Sequence, residues 1–357
     1  MSSTAAKLVR PEIGALKPYL AATYAEGVLR LNANEAPWSP IAPSSGIDLN
    51  GLNRYPDERP WELTARLADF YGVTPDCLLV TRGSSEGIDL LIRSFCRAGI
   101  DECIINPPTF GMYRVYADVQ GAAVKELPLL AEQGYALDVD GIISNWSDTS
   151  KLAFICTPNN PTGNTVPADE LDRLCKALVG KGMVVIDAAY TEFADYDPTE
   201  LLTRYDNVVV LRTLSKALGL AGVRCGAVIG SPEVIGYLQQ ILPPYSYPKP
   251  CQEVVLAALD PANRSEQLRR ISVLKEQRER LISYCRSNPG FSAVLPSNAN
   301  FIFVTAVNPE DVIAATEAAK VRIRDFSKDP AAPAGFRITA GTAEENDQLI
   351  NALDTLK

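Results

Sequence analysis

The stretch "NVVVLRTLSKALGLAGVRCG", residues 207–226, decides how the chain is read. Its first part is a run of β-branched and apolar residues without polar alternation, the pattern of a strand buried on both faces, as in a parallel sheet. Just past that run come Ser215 and Lys216, set among small apolar residues. Most lysines are solvated surface groups. One held in apolar surroundings has its amine pKa lowered and becomes available as a nucleophile. Thr213 and Ser215 add two hydroxyls, and Arg224 a guanidinium able to bind phosphate.

The same pattern recurs outward from this stretch. Continuous apolar runs lie at LLVT (78–81), CIIN (103–106), KLAFICT (151–157), MVVID (183–187) and GAVIG (226–230). Helical stripes intervene, Ile88, Leu91, Ile92 and Phe95 forming one and Leu171, Leu174, Cys175 and Leu178 another. Strands alternating with helices predict an α/β chain with a mostly parallel sheet.

Polar clusters come after the strands: TRGSSEG after LLVT, NPPTFGMY after CIIN, PNNPTGN after LAFICT, Asp187 at the end of MVVID, and Ser215-Lys216 after VVVLRT. Ligands of parallel sheets bind beyond the carboxyl ends of the strands, so five such ends predict one site. Ser84 and Ser85 stand where a helix begins, which suits either an anion site or ordinary N-capping. Asn160 lies in a stiff turn and could donate to a ligand. Asp187 closes an apolar strand, where a carboxylate is costly unless it is paired or caps the next segment of chain. Tyr190, three residues on, is by default a packing aromatic. A Schiff-base lysine, a phosphate pocket and a buried carboxylate together are the set required by pyridoxal 5'-phosphate, whose ring nitrogen needs an acid partner.

Composition narrows the chemistry further. The 357 residues contain no histidine, which excludes His-based acid–base catalysis, Ser-His-Asp triads and His-ligated metals. A net charge of −9 with no dense Lys/Arg block argues against nucleic acid or an anionic membrane as partner. No apolar run approaches the roughly 20 residues of a membrane span. MSSTAAKLVRPEIG lacks the apolar core of a signal peptide. The eight cysteines are scattered, with no CxxC, and several sit in apolar runs. The expected compartment is the cytoplasm, and no metal site is expected.

At ILPPYSYPKP (241–250) four prolines break the chain. A long polar helix (about 262–286), a strand NFIFVTA, a helix over 309–320, a strand FRITAGT and a closing helix come next. The expected division is an N-terminal arm over 1–45 that joins the small domain and covers the site, a large cofactor-binding domain over 46–245, and a small domain over 246–357.

NNPTG, Asp187 with Tyr190, and SKALGLAGVRCG resemble fold-type I, aspartate aminotransferase-like pyridoxal-phosphate enzymes. LNANEAPWSP, NRYPD, SSEGIDLLIRSFC, PPTFGMY, CTPNNPTGN, LRTLSKALGLAGVRCG and the RDF…FRITAGT end are similar to the histidinol-phosphate aminotransferase branch, from about residue 8 onward. The resemblance implies a seven-stranded sheet sandwiched by helices, a smaller α+β C-terminal domain, and a homodimer with shared sites. It implies that Lys216 anchors the cofactor covalently and then moves a proton, that Asp187 pairs with the ring nitrogen, and that Tyr190 and Asn160 meet the ring hydroxyl. Ser84, Ser85, Thr213, Ser215 and Arg224 would hold the phosphate, joined by Tyr55 of the partner subunit, while Phe110 stacks on the ring. Arg337, Arg324, Tyr19, Asn34 and Asn160 would meet the substrates, histidinol phosphate and 2-oxoglutarate/glutamate. Three departures from the family pattern stand out: Ser84-Ser85 for Ala-Asp, Phe110 for the commoner Tyr, and Ala188 where Glu is usual. Aromatic amino-acid aminotransferases and threonine-phosphate decarboxylases share the same apparatus. Regulators of this fold carry an added DNA-binding domain, and no basic helix-turn-helix segment precedes Tyr19.

Overall fold

A computed structural model describes residues 27–32, 34–35, 37–38, 56–328, 332 and 334–356. Tyr19, Tyr55 and most of the expected arm lie outside the described residues. In chain order the strands are β1 (Leu29–Arg30), β2 (Leu78–Thr81), β3 (Glu102–Ile105), β4 (Ala123–Glu126), β5 (Ser150–Cys156), β6 (Met183–Asp187), β7 (Val208–Thr213), β8 (Gly226–Gly230), β9 (Phe291–Val294), β10 (Phe301–Ala306), β11 (Val321–Arg322), β12 (Arg324–Asp325) and β13 (Phe336–Thr339). The helices are α1 (Trp61–Tyr71), α2 (Ser84–Phe95), α3 (Met112–Gln120), α4 (Val139–Ser144), α5 (Ala168–Leu178), α6 (Pro232–Ile241), α7 (Lys249–Ala258), α8 (Arg264–Ser287), α9 (Pro309–Ala318) and α10 (Ala343–Leu353).

Seven strands form the main sheet in the order β2-β8-β7-β6-β5-β3-β4. The continuous apolar runs have a physical cause, since alternate residues of each central strand enter different cores. Val184, Ile186, Val208 and Val210 face a cluster shared with α1, α5 and α7. Val185, Val209 and Leu211 face a second, shared with α2, α3 and α6. With both faces covered, no position along these strands favours a polar residue.

The sheet is mostly parallel, with one exception. β8 runs antiparallel to both β2 and β7. A run such as GAVIG is as apolar in one direction as in the other, so the sequence carries no sign of it. The reversal brings the start of β8, rather than its end, to the edge where β2, β3, β5, β6 and β7 finish. β4 is a strand the apolar runs did not reveal. It is an edge strand with half-buried and exposed residues, and Lys125 and Glu126 interrupt its hydrophobicity.

The 241–250 break separates α6 from α7. α8 then spans two cores, giving Ile271 and Leu274 to the first cluster and Leu281, Ile282 and Cys285 to a third. That third cluster underlies an antiparallel sheet of order β12-β13-β10-β9, backed by α9 and α10. β1 pairs in parallel with β11. Beyond β1 the Thr339 amide donates to the Leu31 carbonyl, and the Asn34 amide to Thr339 Oγ1. These bonds carry Asn32 and Asn34 along β13 toward the main sheet.

Candidate active site

A cleft of about 640 Å³ opens at the shared edge of the main sheet. Asn34, Ser84, Ser85, Phe110, Asn160, Asp187, Tyr190, Thr213, Ser215, Lys216, Arg224, Arg324 and Arg337 all line it. The cleft thus brings together every described candidate site residue.

The anion-binding end is built by close backbone approach. α2 begins at Ser84 with Gly83 as its N-cap, and no side chain caps it. Ser84 and Ser85 therefore do not serve as caps, and both line the cleft beside the helix N-terminus. Gly83 has φ +76°, and a Cβ there would lie 2.5 Å from the Arg224 guanidinium. A Cβ on Gly226 would lie 2.5 Å from the Gly83 carbonyl carbon. Glycine is required at both positions for β8, α2 and Arg224 to converge. Arg224 itself sits at φ +58°, a left-handed conformation unfavourable for an arginine. From there its guanidinium donates to Ser215 Oγ at 3.4 Å and to the Ala221 carbonyl at 3.1 Å. Thr213 Oγ1 donates to Ser215 Oγ at 2.9 Å. Hydroxyls, a guanidinium and a helix N-terminus in one corner make a site for phosphate.

Asp187, which also lines the cleft, is 2% exposed at the end of β6. Tyr113, in α3, donates its hydroxyl to Asp187 Oδ2 at 2.8 Å, and the Ala189 amide donates to Oδ1 at 3.2 Å. Burial raises the Asp187 pKa, and these two donors with the nearby Lys216 oppose the rise. Tyr113 was not a candidate in the sequence. Its partner is 74 residues away, and nothing local distinguishes it from a packing aromatic.

Lys216 lines the same cleft, with Nζ 5.9 Å from the Tyr190 ring centroid. Desolvation, and after it the charge of Arg337, lowers its pKa to about 8. A neutral amine is therefore accessible under mildly basic conditions, as a covalent role demands. Tyr190 packs edge-on against Phe301 at 5.2 Å, and its hydroxyl accepts from Asn34 Nδ2 at 3.2 Å. Burial pushes that hydroxyl up to about 12. Tyr190 is thus more than the packing aromatic its position alone implied.

The third feature of the cleft is cationic. Arg324 and Arg337 are direct cross-strand neighbours on β12 and β13. Like charges so placed repel, and an anion between them removes the repulsion. Arg337 donates to Asn160 Oδ1 and, at 3.0 Å, to the Asn32 carbonyl. Phe326 lies beneath both guanidiniums, 5.6 Å from Arg324 and 5.8 Å from Arg337. The sequence offered both arginines but not their register, which depends on strand pairing.

Comparison with known proteins matches the family described as aminotransferase class I and II over residues 33–353. The chain is 40% identical over 351 residues to the histidinol-phosphate aminotransferase of Stenotrophomonas maltophilia (strain R551-3), covering 97% of this chain and 95% of that protein. Two solved structures share the fold. The histidinol-phosphate aminotransferase of Clostridium acetobutylicum superposes with a TM-score of 0.81 at 22% identity, over 92% of this chain and 98% of that one. That of Sinorhizobium meliloti, solved in complex with pyridoxal-5'-phosphate, gives 0.79 at 21% identity, over 98% of both chains.

Proposed function

The chain belongs to the aminotransferase class I and II family, and on that premise we propose that it is a pyridoxal-phosphate-dependent histidinol-phosphate transaminase. It transfers the amino group of L-histidinol phosphate to 2-oxoglutarate, giving imidazole acetol phosphate and L-glutamate, a step of histidine biosynthesis. The observation that carries this reading is the cross-strand pair Arg324 and Arg337 in the same cleft as Lys216 and Asp187. Both substrates are anions, one a phosphate ester and one a dicarboxylate, and guanidinium binds either through parallel hydrogen bonds.

The residues present fit the cofactor. Ser84, Ser85, Thr213, Ser215 and Arg224 would hold its phosphate, with the partner subunit's Tyr55 completing the corner in a cytoplasmic homodimer. Asp187 would hold the ring nitrogen, and Phe110 would meet the ring. Asn160 Oδ1 is engaged by Arg337, so its Nδ2 would donate to the ring hydroxyl, together with Tyr190. Bound pyridoxal phosphate supplies an aldehyde for amine exchange and a ring that draws electrons from the substrate Cα. Lys216 would move the proton between the substrate Cα and the cofactor's C4′, a role suited to an amine whose pKa is near 8. Arg324, Arg337, Asn34 and Tyr19 orient the substrate anions.

Glutamate formation or consumption measured with histidinol phosphate, phenylalanine and threonine phosphate tests the assignment. The expected order places histidinol phosphate highest in kcat/KM. A preference for phenylalanine, or release of carbon dioxide from threonine phosphate, replaces the reading with the corresponding relative.

A further inference from the structure

Tyr113 belongs to none of the groups assigned above, yet it touches the residue on which the cofactor's electronics depend. Its ring is fully buried. It stacks on Phe154 at 4.9 Å with 14° between planes, and meets Phe110 edge-on at 5.6 Å. These two contacts fix the ring, and so they fix the direction in which its hydroxyl points. That hydroxyl meets Asp187 Oδ2, while the Ala189 amide meets Oδ1, so each carboxylate oxygen has one donor.

We propose that Tyr113 is the positioning residue that keeps Asp187 ionised and aimed into the cleft, so that the group facing the cofactor's ring nitrogen is a carboxylate. The inference rests on the pyridoxal-phosphate reading. A carboxylate taken out of water tends to protonate, and donated hydrogen bonds are what hold it ionised. An ionised partner keeps the ring nitrogen protonated, and only then does the ring withdraw electrons strongly. A protonated Asp187 would instead donate to a neutral ring nitrogen and weaken that pull. The other titratable groups around Asp187 cannot replace the donor. Lys216 is the smallest influence on it, and the Cys156 thiol donates to the Pro158 carbonyl at 3.4 Å instead. Burial and the adjacent carboxylate also raise the Tyr113 phenol well above its ordinary pKa, so it remains a donor throughout the working range.

Tyr113→Phe removes one oxygen and preserves the aromatic stack. The test loads the wild-type and variant proteins with pyridoxal phosphate labelled with ¹⁵N in the ring. Three changes are expected in the variant. The ring ¹⁵N resonance moves toward the unprotonated pyridine position, and the pH midpoint of the cofactor's visible absorbance change rises. Affinity for pyridoxal phosphate falls roughly tenfold, the effect of one hydrogen bond to a charged group. A purely packing role would lower affinity without moving the resonance or the midpoint. The same substitution in an Asp187→Asn background should add nothing, and that pair keeps the comparison decisive if the single variant folds poorly. Equal loss of affinity in both backgrounds, or an unmoved resonance and midpoint, overturns the role of Tyr113. A wild-type protein that takes up no pyridoxal phosphate overturns the cofactor reading itself, and this role with it.

Discussion

Replacing Arg337 separates charge from geometry in the proposed anion site. Arg337→Lys keeps a cation and loses the planar fork, whereas Arg337→Ala loses both. In the structure Arg337 is 8% exposed, and its guanidinium is braced by Asn160 and the Asn32 carbonyl. Hydrogen bonds to a charged group contribute about 1.5–3 kcal/mol each. Loss of a two-bond grip on a substrate anion therefore costs about 3 kcal/mol or more, roughly two orders of magnitude in kcat/KM for the alanine variant. Lysine retains one charged contact and should lose roughly tenfold. The assay measures each half-reaction separately, with histidinol phosphate and with glutamate as amino donors. Both should weaken together, because one arginine serves both anions. A second signature comes from Lys216, whose pKa Arg337 depresses. Removing the guanidinium should raise that pKa above about 8 and move the pH dependence of proton transfer to more alkaline values. Thermal melts control for stability, since the alanine variant leaves two buried acceptors without their donor. An unchanged kcat/KM for either donor refutes the shared-anion argument, whatever happens to the other.

Lys216→Met should stabilise the cofactor-free protein most at neutral pH. The folded-state amine has a pKa of about 8 against 10.5 unfolded, so folding opposes its protonation. That penalty is fully present below pH 8 and fades toward pH 10.5. Melting curves across this range should show the variant's advantage shrinking as pH rises, and an advantage independent of pH contradicts the buried-amine account. Gly83→Ala should weaken pyridoxal phosphate binding strongly, because its Cβ would meet Arg224 at 2.5 Å in a backbone conformation L-residues rarely adopt. Equilibrium titration of the apoprotein measures it, and unaltered affinity would mean that Arg224 does not hold the phosphate.

Much of this site was legible because a parallel sheet converts sequence into position. Each buried strand announces itself by continuous hydrophobicity, and the polar residues after it must fall at one edge. Lys216, Asp187, Asn160 and Ser84 were found in this way. The features that escaped depend on pairing between distant segments. The antiparallel direction of β8 leaves no trace in GAVIG, and β4 lacks the apolar run because an edge strand buries little. Tyr113 gains its significance from a hydroxyl that reaches a different strand end. The opposition of Arg324 and Arg337 comes from strand register, the demand for Gly83 from the Arg224 guanidinium above it, and that for Gly226 from the Gly83–Ser84 backbone against it.

The central claim is that Lys216 carries the cofactor. Protein loaded with pyridoxal phosphate, reduced with borohydride, digested and mapped by mass spectrometry addresses it directly. The expected result is a yellow protein bleached by reduction, with one pyridoxyl group located on Lys216. A label on another lysine, or a Lys216→Ala variant that retains the visible band and the label, would contradict it.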